Sequence, residues 1–192
     1  MEQQLLQEQK KPNVLAFQVA LLFSFYSIAL TYASELMGLG TANVKNISIG
    51  LKILTTLLTY IPFIGAIMYV QTKHKKELGG YITFGRAFST GFKVSAYAGL
   101  FIAILTFIYY KVLNPAAMDQ VIEFAISNAK GDENQIKGIE MMSKYMVFMM
   151  MFSVAVTFTF TGLIISLITA AIIKKDNPNP FGIPTEANPE GN

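Results

Sequence analysis

The sequence contains no cysteine and a single histidine, His74. Without cysteine there are no disulfides, no thiol catalysis, no thiolate zinc sites and no iron–sulfur clusters. One histidine excludes a multi-histidine metal or haem site within one chain, and any Ser-His-Asp triad would have to use His74. Charge is scarce too. Only 14% of the 192 residues are charged and 53% are hydrophobic, where a soluble domain carries about 25% charged residues. A soluble globular protein is therefore excluded, and so is a disordered chain, which would lack the apolar residues. The net charge of +3 is mild, and the basic residues are not interleaved with aromatics, so nucleic-acid binding has no support. No nucleophile elbow, phosphate loop, HExxH or paired catalytic carboxylates occur.

What is present is apolar sequence in long uncharged runs, at 12–34, 53–72, 94–110 and 145–173. Crossing the hydrocarbon core as a helix takes roughly 20 such residues. The expected architecture is an all-α, integral membrane four-helix bundle, with spans at about 14–37, 51–72, 84–112 and 145–173. Residues 1–11 form a polar lead-in, too long and too acidic for a signal peptide, and the first apolar run is too long for a signal h-region. It reads as a retained span. Glu35 falls in its last turn, within reach of the headgroups, and the connector 38–50 holds Gly38, Gly40, Thr41 and Asn43, which favour a turn.

Pro62 sits near the middle of span 2. It removes one helical hydrogen bond and clashes with the carbonyl of Leu58, so a kink is expected, with Thr55, Thr59 and Gly65 close enough to take part. The alternative is a hinge or uncharged solute site made by Pro62, Thr55, Thr59 and Tyr60. A basic break, 73–76, and the paired glycines Gly79 and Gly80 separate spans 2 and 3, with Thr83 as the expected N-cap of span 3. Arg86 and Lys93, seven apart, can snorkel from its first turns. Asn114-Pro115 ends span 3. Residues 116–129 then carry Met118, Val121, Ile122, Ala125 and Ala129 at helical spacing. This predicts an amphipathic helix in the loop between spans 3 and 4, lying on the bilayer surface or in a groove over the spans. A second short amphipathic run, 136–144, feeds span 4. The tail 176–192, with four prolines, is expected to be disordered.

Four constellations carry chemistry or assembly. Ala87, Gly91, Ser95, Gly99 and Ala103 recur every four residues on span 3, and Gly162, Ser166 and Ala170 repeat the pattern on span 4. Small residues at this spacing let helices approach closely, either within the chain or against a second copy or partner. Met142, Met146 and Met150 form a stripe at one end of span 4. Thioethers select soft metals such as Cu(I), but methionine is also a flexible core filler, and packing is the reading adopted. The residues Lys73, His74, Lys75 and Lys76, with Arg86 and Lys93, set topology or meet anionic lipid headgroups; Lys174 and Lys175 stop span 4. His74 is expected at headgroup level, solvated. Finally, no Asp or Glu lies deep in any span, which argues against proton-coupled transport.

With four spans both chain ends share a side. That side carries Lys10, Lys11, Lys73, Lys75, Lys76, Arg86, Lys93, Lys174 and Lys175, against Lys45, Lys52, Lys111, Lys130, Lys137 and Lys144 on the other. The excess predicts cytoplasmic N- and C-termini.

The order of these features resembles a family of bacterial proteins of unknown function, DUF4199, found chiefly among Bacteroidetes. The likeness rests on the polar lead into a long first span, the basic break after span 2, and Gly80-Tyr81-Ile82-Thr83-Phe84-Gly85-Arg86-Ala87-Phe88 leading through Gly91-Phe92 into span 3. Tyr109 and Pro115 before an outer helix, and the Lys174-Lys175 stop, complete it. The resemblance implies a four-span protein of the bacterial inner membrane. It transfers no activity, cofactor or catalytic residue.

The function expected from these readings is a non-enzymatic scaffold, accessory or partner-binding module in the bilayer, alone, as a homo-oligomer or with a membrane-protein partner. No cofactor, metal or nucleic acid is expected. The alternative is a small-solute or metal-ion permease acting as an oligomer. The two differ in what their bundles must contain. A permease needs a polar cavity or a charged residue facing the bundle interior; a scaffold shows a filled bundle and an exposed small-residue seam.

Overall fold

A computed structural model describes residues 11–39 and 47–177. The lead-in 1–10, the connector segment 40–46 and the tail 178–192 lie outside the described residues, so the expectations placed on them are not addressed. Five α-helices follow in order: α1 (Asn13–Leu36), α2 (Ile49–Glu77), α3 (Phe84–Ile108), α4 (Pro115–Asn128) and α5 (Glu133–Ile173). A π-helical turn, Tyr109–Leu113, joins α3 to α4. Helices α1, α2, α5 and α3 with its π turn are each long and apolar enough to cross a membrane. No strand occurs among the described residues, only an isolated bridge between Ile82 and Lys175.

Local chemistry sets the ends. Pro12 precedes α1, and the Ser48 hydroxyl accepts from the Leu51 amide to cap α2. Helix α2 does not stop at residue 72. It continues through Lys73–Lys76, where cations favour the negative end of the helix dipole. It is closed by amides of Gly79 and Gly80 bonding to the carbonyls of Lys76 and Lys75 at 3.1 and 2.9 Å. That pairing requires a left-handed residue after the helix, and Gly79 supplies it with φ +80°. Thr83 holds the N-cap position of α3 in extended conformation, but its side chain makes no capping bond. Asn114 caps α4 through the Ala117 amide at 3.3 Å, and Asp132 caps α5 through Asn134 and Gln135.

The amphipathic run at 136–144 is not a separate element. It is the beginning of α5, whose 41 residues extend about 60 Å at 1.5 Å per residue, about twice the hydrocarbon thickness. The first turns of α5 therefore project beyond the bilayer beside α4. Helix α4 packs on the spans rather than lying apart. Ala117 and Met118 are buried with Tyr109, Tyr110 and Val147, against Val121, Ile122, Met146 and Met150.

Helix α3 is the axis of the bundle, in contact with α1, α2 and α5. Its closest neighbour is α5, and the contact is set by glycines. A Cβ on Gly99 would stand 2.6 Å from Thr159 Oγ1 and 2.8 Å from the Ala155 carbonyl; one on Gly162 would collide with Ser95 and come 2.9 Å from Phe63. All eight small residues, Ala87, Gly91, Ser95, Gly99, Ala103, Gly162, Ser166 and Ala170, are buried. Their close approaches are made inside this chain.

Candidate functional site

Along the bundle axis, polar and apolar layers alternate. At the α4 end the four spans converge on a cavity of about 330 Å3. That is room for about ten waters at about 30 Å3 each. Helix α1 contributes Ser27, Thr31, Ser34 and Glu35; α2, Thr55 and Thr59; α3 and its π turn, Thr106 and Tyr110; α5, Met150, Val154 and Phe158. The lining has a definite polarity. Thr31 donates its proton to the Ser27 carbonyl, Ser34 to that of Leu30, Thr55 to that of Leu51 and Thr59 to that of Thr55, at 2.8–3.0 Å. Hydroxyls whose protons bond back along their own helix offer the cavity their lone pairs. With the carboxylate of Glu35, they set acceptors into a lining that Leu30, Leu39, Ile102, Met150, Val154 and Phe158 otherwise make apolar. Tyr110 stands on the π turn; such turns occur often at functional sites because the extra residue re-aims the side chains around it.

Below the cavity is an apolar belt. The ring of Phe63 stacks on Phe23 at 4.9 Å between centroids and meets Phe158 edge-on at 5.4 Å. Tyr60 stacks on Phe158, and Ile67, Val70, Val94 and Ala98 fill the next layer, fully buried.

Below the belt the interior turns polar again. Gln71, His74 and Ser166 are all fully enclosed. The Gln71 amide donates to the Ala87 carbonyl at 3.1 Å and to the Ser166 carbonyl at 3.5 Å. Gln71 Oε1, both imidazole nitrogens of His74 and Ser166 Oγ have no hydrogen-bond partner. Glu77 Oε2 lies 3.7 Å from His74 Nδ1, an ion-pair distance too long for a hydrogen bond. Arg86 and Lys93 of α3 act electrostatically on the imidazole. The basic end is closed by Lys75 Nζ donating to the Ile173 carbonyl at 2.7 Å, and by paired backbone bonds between Ile82 and Lys175 at 2.9 Å. Lys175 Nζ also lies over the Tyr81 ring.

These positions revise several expectations. His74 is enclosed rather than solvated, because α2 runs on past it and places it three residues beyond Gln71 on the same inward face. Glu35 lines a cavity between helices instead of standing only at headgroup level. Lys75 caps the end of α5, beyond setting topology; Lys73, Lys76 and Lys174 remain exposed. Pro62 does free the Leu58 carbonyl, but the hydroxyl that takes it up comes from α1: Tyr26 OH donates to it at 2.8 Å. Thr55 and Thr59 face the cavity, while Pro62 and Gly65 face an apolar groove of about 630 Å3 between α1 and α2. The methionine stripe is divided. Met142 is exposed, Met146 and Met150 pack against the Tyr109 cluster, and Met150 also borders the cavity. Among the described residues no group of three or more His, Asp or Glu is placed to hold a metal.

The hydroxyl stripe of α1 was not singled out from sequence. The signal is there: Ser24, Ser27, Thr31 and Ser34 recur at three- and four-residue steps, with Glu35 beside them.

Four apolar helices, antiparallel in sequence and wrapped around polar interior layers, define a membrane-spanning α-helical protein. The chain belongs to the family of proteins of unknown function DUF4199, matched over residues 18–175. No curated protein and no solved structure matches it.

Proposed function

We propose that this chain is a permease-class membrane protein that takes a small, hydrogen-bond-donating solute into the cavity between its four spans. The observation that carries this is the cavity itself, which sits where all four spans meet and is lined by hydroxyl acceptors and Glu35. Glu35 is the acidic side chain of this lining and is only partly exposed, and an ionisable residue between membrane helices marks a functional site by default. A scaffold reading would also want its small-residue seam presented outward, whereas these glycines are consumed by the α3–α5 contact. Because the cavity is complete within one chain, the reading needs no oligomer.

The reading is non-enzymatic. His74, the one imidazole, is sealed from solvent and hydrogen-bonded to no hydroxyl among the described residues. The basic excess at the Lys73–Lys76 and Lys174–Lys175 end favours that end, with both termini, in the cytoplasm. The family resemblance favours the bacterial inner membrane.

The test is permeability. Purified protein in liposomes is mixed with a glycerol or urea gradient, and vesicle re-swelling is followed by stopped-flow light scattering. Re-swelling faster than in protein-free vesicles, slowed by Thr106→Phe, supports the proposal. Rates equal to those of protein-free vesicles for both probes overturn it.

A further inference from the structure

The groove of about 630 Å3 between α1 and α2 is separate from the cavity, and the two share no lining residue. On α1 its wall runs from Leu15 to Tyr26, which at 1.5 Å per residue is about 16 Å. That is close to half the hydrocarbon thickness of about 30 Å, so the groove belongs to a single leaflet. Tyr26 stands at its inner end, where its hydroxyl ties α1 to the Leu58 carbonyl of α2 at 2.8 Å. Val19, Leu22, Phe23 and Ala66 make the lining apolar, and Gly65 leaves it open: nothing stands within 4 Å of the place a Cβ would take. Gln18 and Tyr69 add an amide and a phenol toward the basic end, where α1 starts and α2 finishes.

Both walls end in lysine. On α2 the groove positions Pro62, Ala66 and Tyr69 advance by four and three residues, and the next steps on that face are Lys73 and Lys76. Ahead of α1, Lys11 stands four residues before Leu15. All three lysines are exposed. Lys75 does not join them, being bonded to the Ile173 carbonyl, and Glu77, one turn beyond Lys73, is engaged with His74 Nδ1 at 3.7 Å. We infer that this groove binds an anionic phospholipid from the leaflet at the basic end, with an acyl chain between α1 and α2 and the phosphate among Lys11, Lys73 and Lys76. The apolar wall matches the chain in length and chemistry. Gln18 and Tyr69 fall at the depth of the ester carbonyls, which supply hydrogen bonds that hydrocarbon denies them. Basic pockets between spans hold acidic headgroups in this way. A zwitterionic lipid enters the same groove without the charge that fixes it there. The inference does not depend on the permease reading.

The chain has no cysteine, so a single thiol can carry a bimane fluorophore at a chosen place. Leu22→Cys puts it on the exposed rim of the groove, and Ile164→Cys on an exposed position of α5 outside it. Each stands nine residues from the basic end of its helix, at Asn13 and Ile173. Both are reconstituted in phosphatidylcholine vesicles with rising fractions of phosphatidylglycerol or phosphatidylcholine whose chains carry bromine, a short-range quencher. Half-maximal quenching at Leu22→Cys should need at least about fivefold less brominated phosphatidylglycerol than phosphatidylcholine, the preference one lysine near an acidic headgroup supplies. Ile164→Cys should be quenched alike by both. Two changes made beside Leu22→Cys should each erase the preference: Lys11→Gln with Lys73→Gln and Lys76→Gln, which removes the charge, and Gly65→Leu, which fills the groove from an open position and leaves the charge. Equal quenching by the two lipids at Leu22→Cys, the same preference at Ile164→Cys, or a preference that survives either change overturns the lipid site. So does quenching of Leu22→Cys by neither lipid while Ile164→Cys is quenched by both, because a second copy or another segment of the chain would then cover the groove.

Discussion

Replacing Gly162 by alanine tests the packing logic most severely. An added Cβ would collide with Ser95 and come 2.9 Å from Phe63 Cζ, inside the 3.5–4.0 Å at which carbon atoms attract. Helices α3 and α5 must then separate. Overpacking of this kind costs about 1–3 kcal/mol, while alanine recovers about 0.5–1 kcal/mol of backbone entropy in a helix. Because the new Cβ strikes Ser95 Cβ as well as its hydroxyl, the cost falls at the upper end of that range and the expected net loss is about 2 kcal/mol. Gly138→Ala on the same helix is the control: nothing lies within 4 Å of its Cβ position, so only the gain of about 0.5–1 kcal/mol remains. The two substitutions are chemically identical and should have opposite signs. Equilibrium unfolding in mixed micelles, followed by far-UV circular dichroism, measures both. Ser95→Gly introduced beside Gly162→Ala should recover part of the loss, because it removes the atoms struck first. A neutral or stabilising Gly162→Ala, or no coupling to Ser95→Gly, would refute the close-approach account.

Other substitutions probe separate links. Tyr26→Phe removes the hydroxyl serving the carbonyl that Pro62 frees; it should cost about 0.6–1.7 kcal/mol, the range for hydrogen bonds between membrane helices, and almost nothing in a Pro62→Ala background, where the helix can reclaim its own carbonyl. Lys75→Met removes the cap on the Ile173 carbonyl, and amide exchange over residues 173–175 should quicken about fivefold for a loss of about 1 kcal/mol. Met142→Leu, Met146→Leu and Met150→Leu together should leave cellular copper uptake unchanged, since only Met146 and Met150 pack together on the Tyr109 cluster; a fall in uptake would show that the stripe is a soft-metal path.

How much of this was legible beforehand depended on the physics behind each feature. The spans were readable because hydrocarbon demands uninterrupted apolar length, a property of consecutive residues. The amphipathic helix α4 and the stripe of small residues were readable because periodicity places side chains on one face; that α4 packs on the spans and the stripe inside the chain took the structure to decide. The fate of Lys73–Lys76 was not. Charge suggested a loop, but the helix dipole and the Gly79-Gly80 closure carried α2 onward, and with it His74 turned inward. The Leu58 carbonyl was foreseen as stranded, while its partner Tyr26, more than thirty residues earlier in the chain, belongs to tertiary packing. The cavity was harder still. Each hydroxyl looks unremarkable on its own helix, and only convergence of four helices turns Ser27, Thr31, Thr55, Thr59 and Thr106 into one surface. The recurrence on α1 of hydroxyls at helical spacing was the single clue available.

Everything rests on four crossings of a bilayer, and topology reporters address that most directly. Fusions placed after Leu39, Leu78, Asp132 and Asp176, each scored with one reporter active only in the cytoplasm and one active only outside it, should alternate sides, with the fusions after Leu78 and Asp176 cytoplasmic. Any two consecutive fusions reporting the same compartment would contradict the bundle described here and the cavity within it.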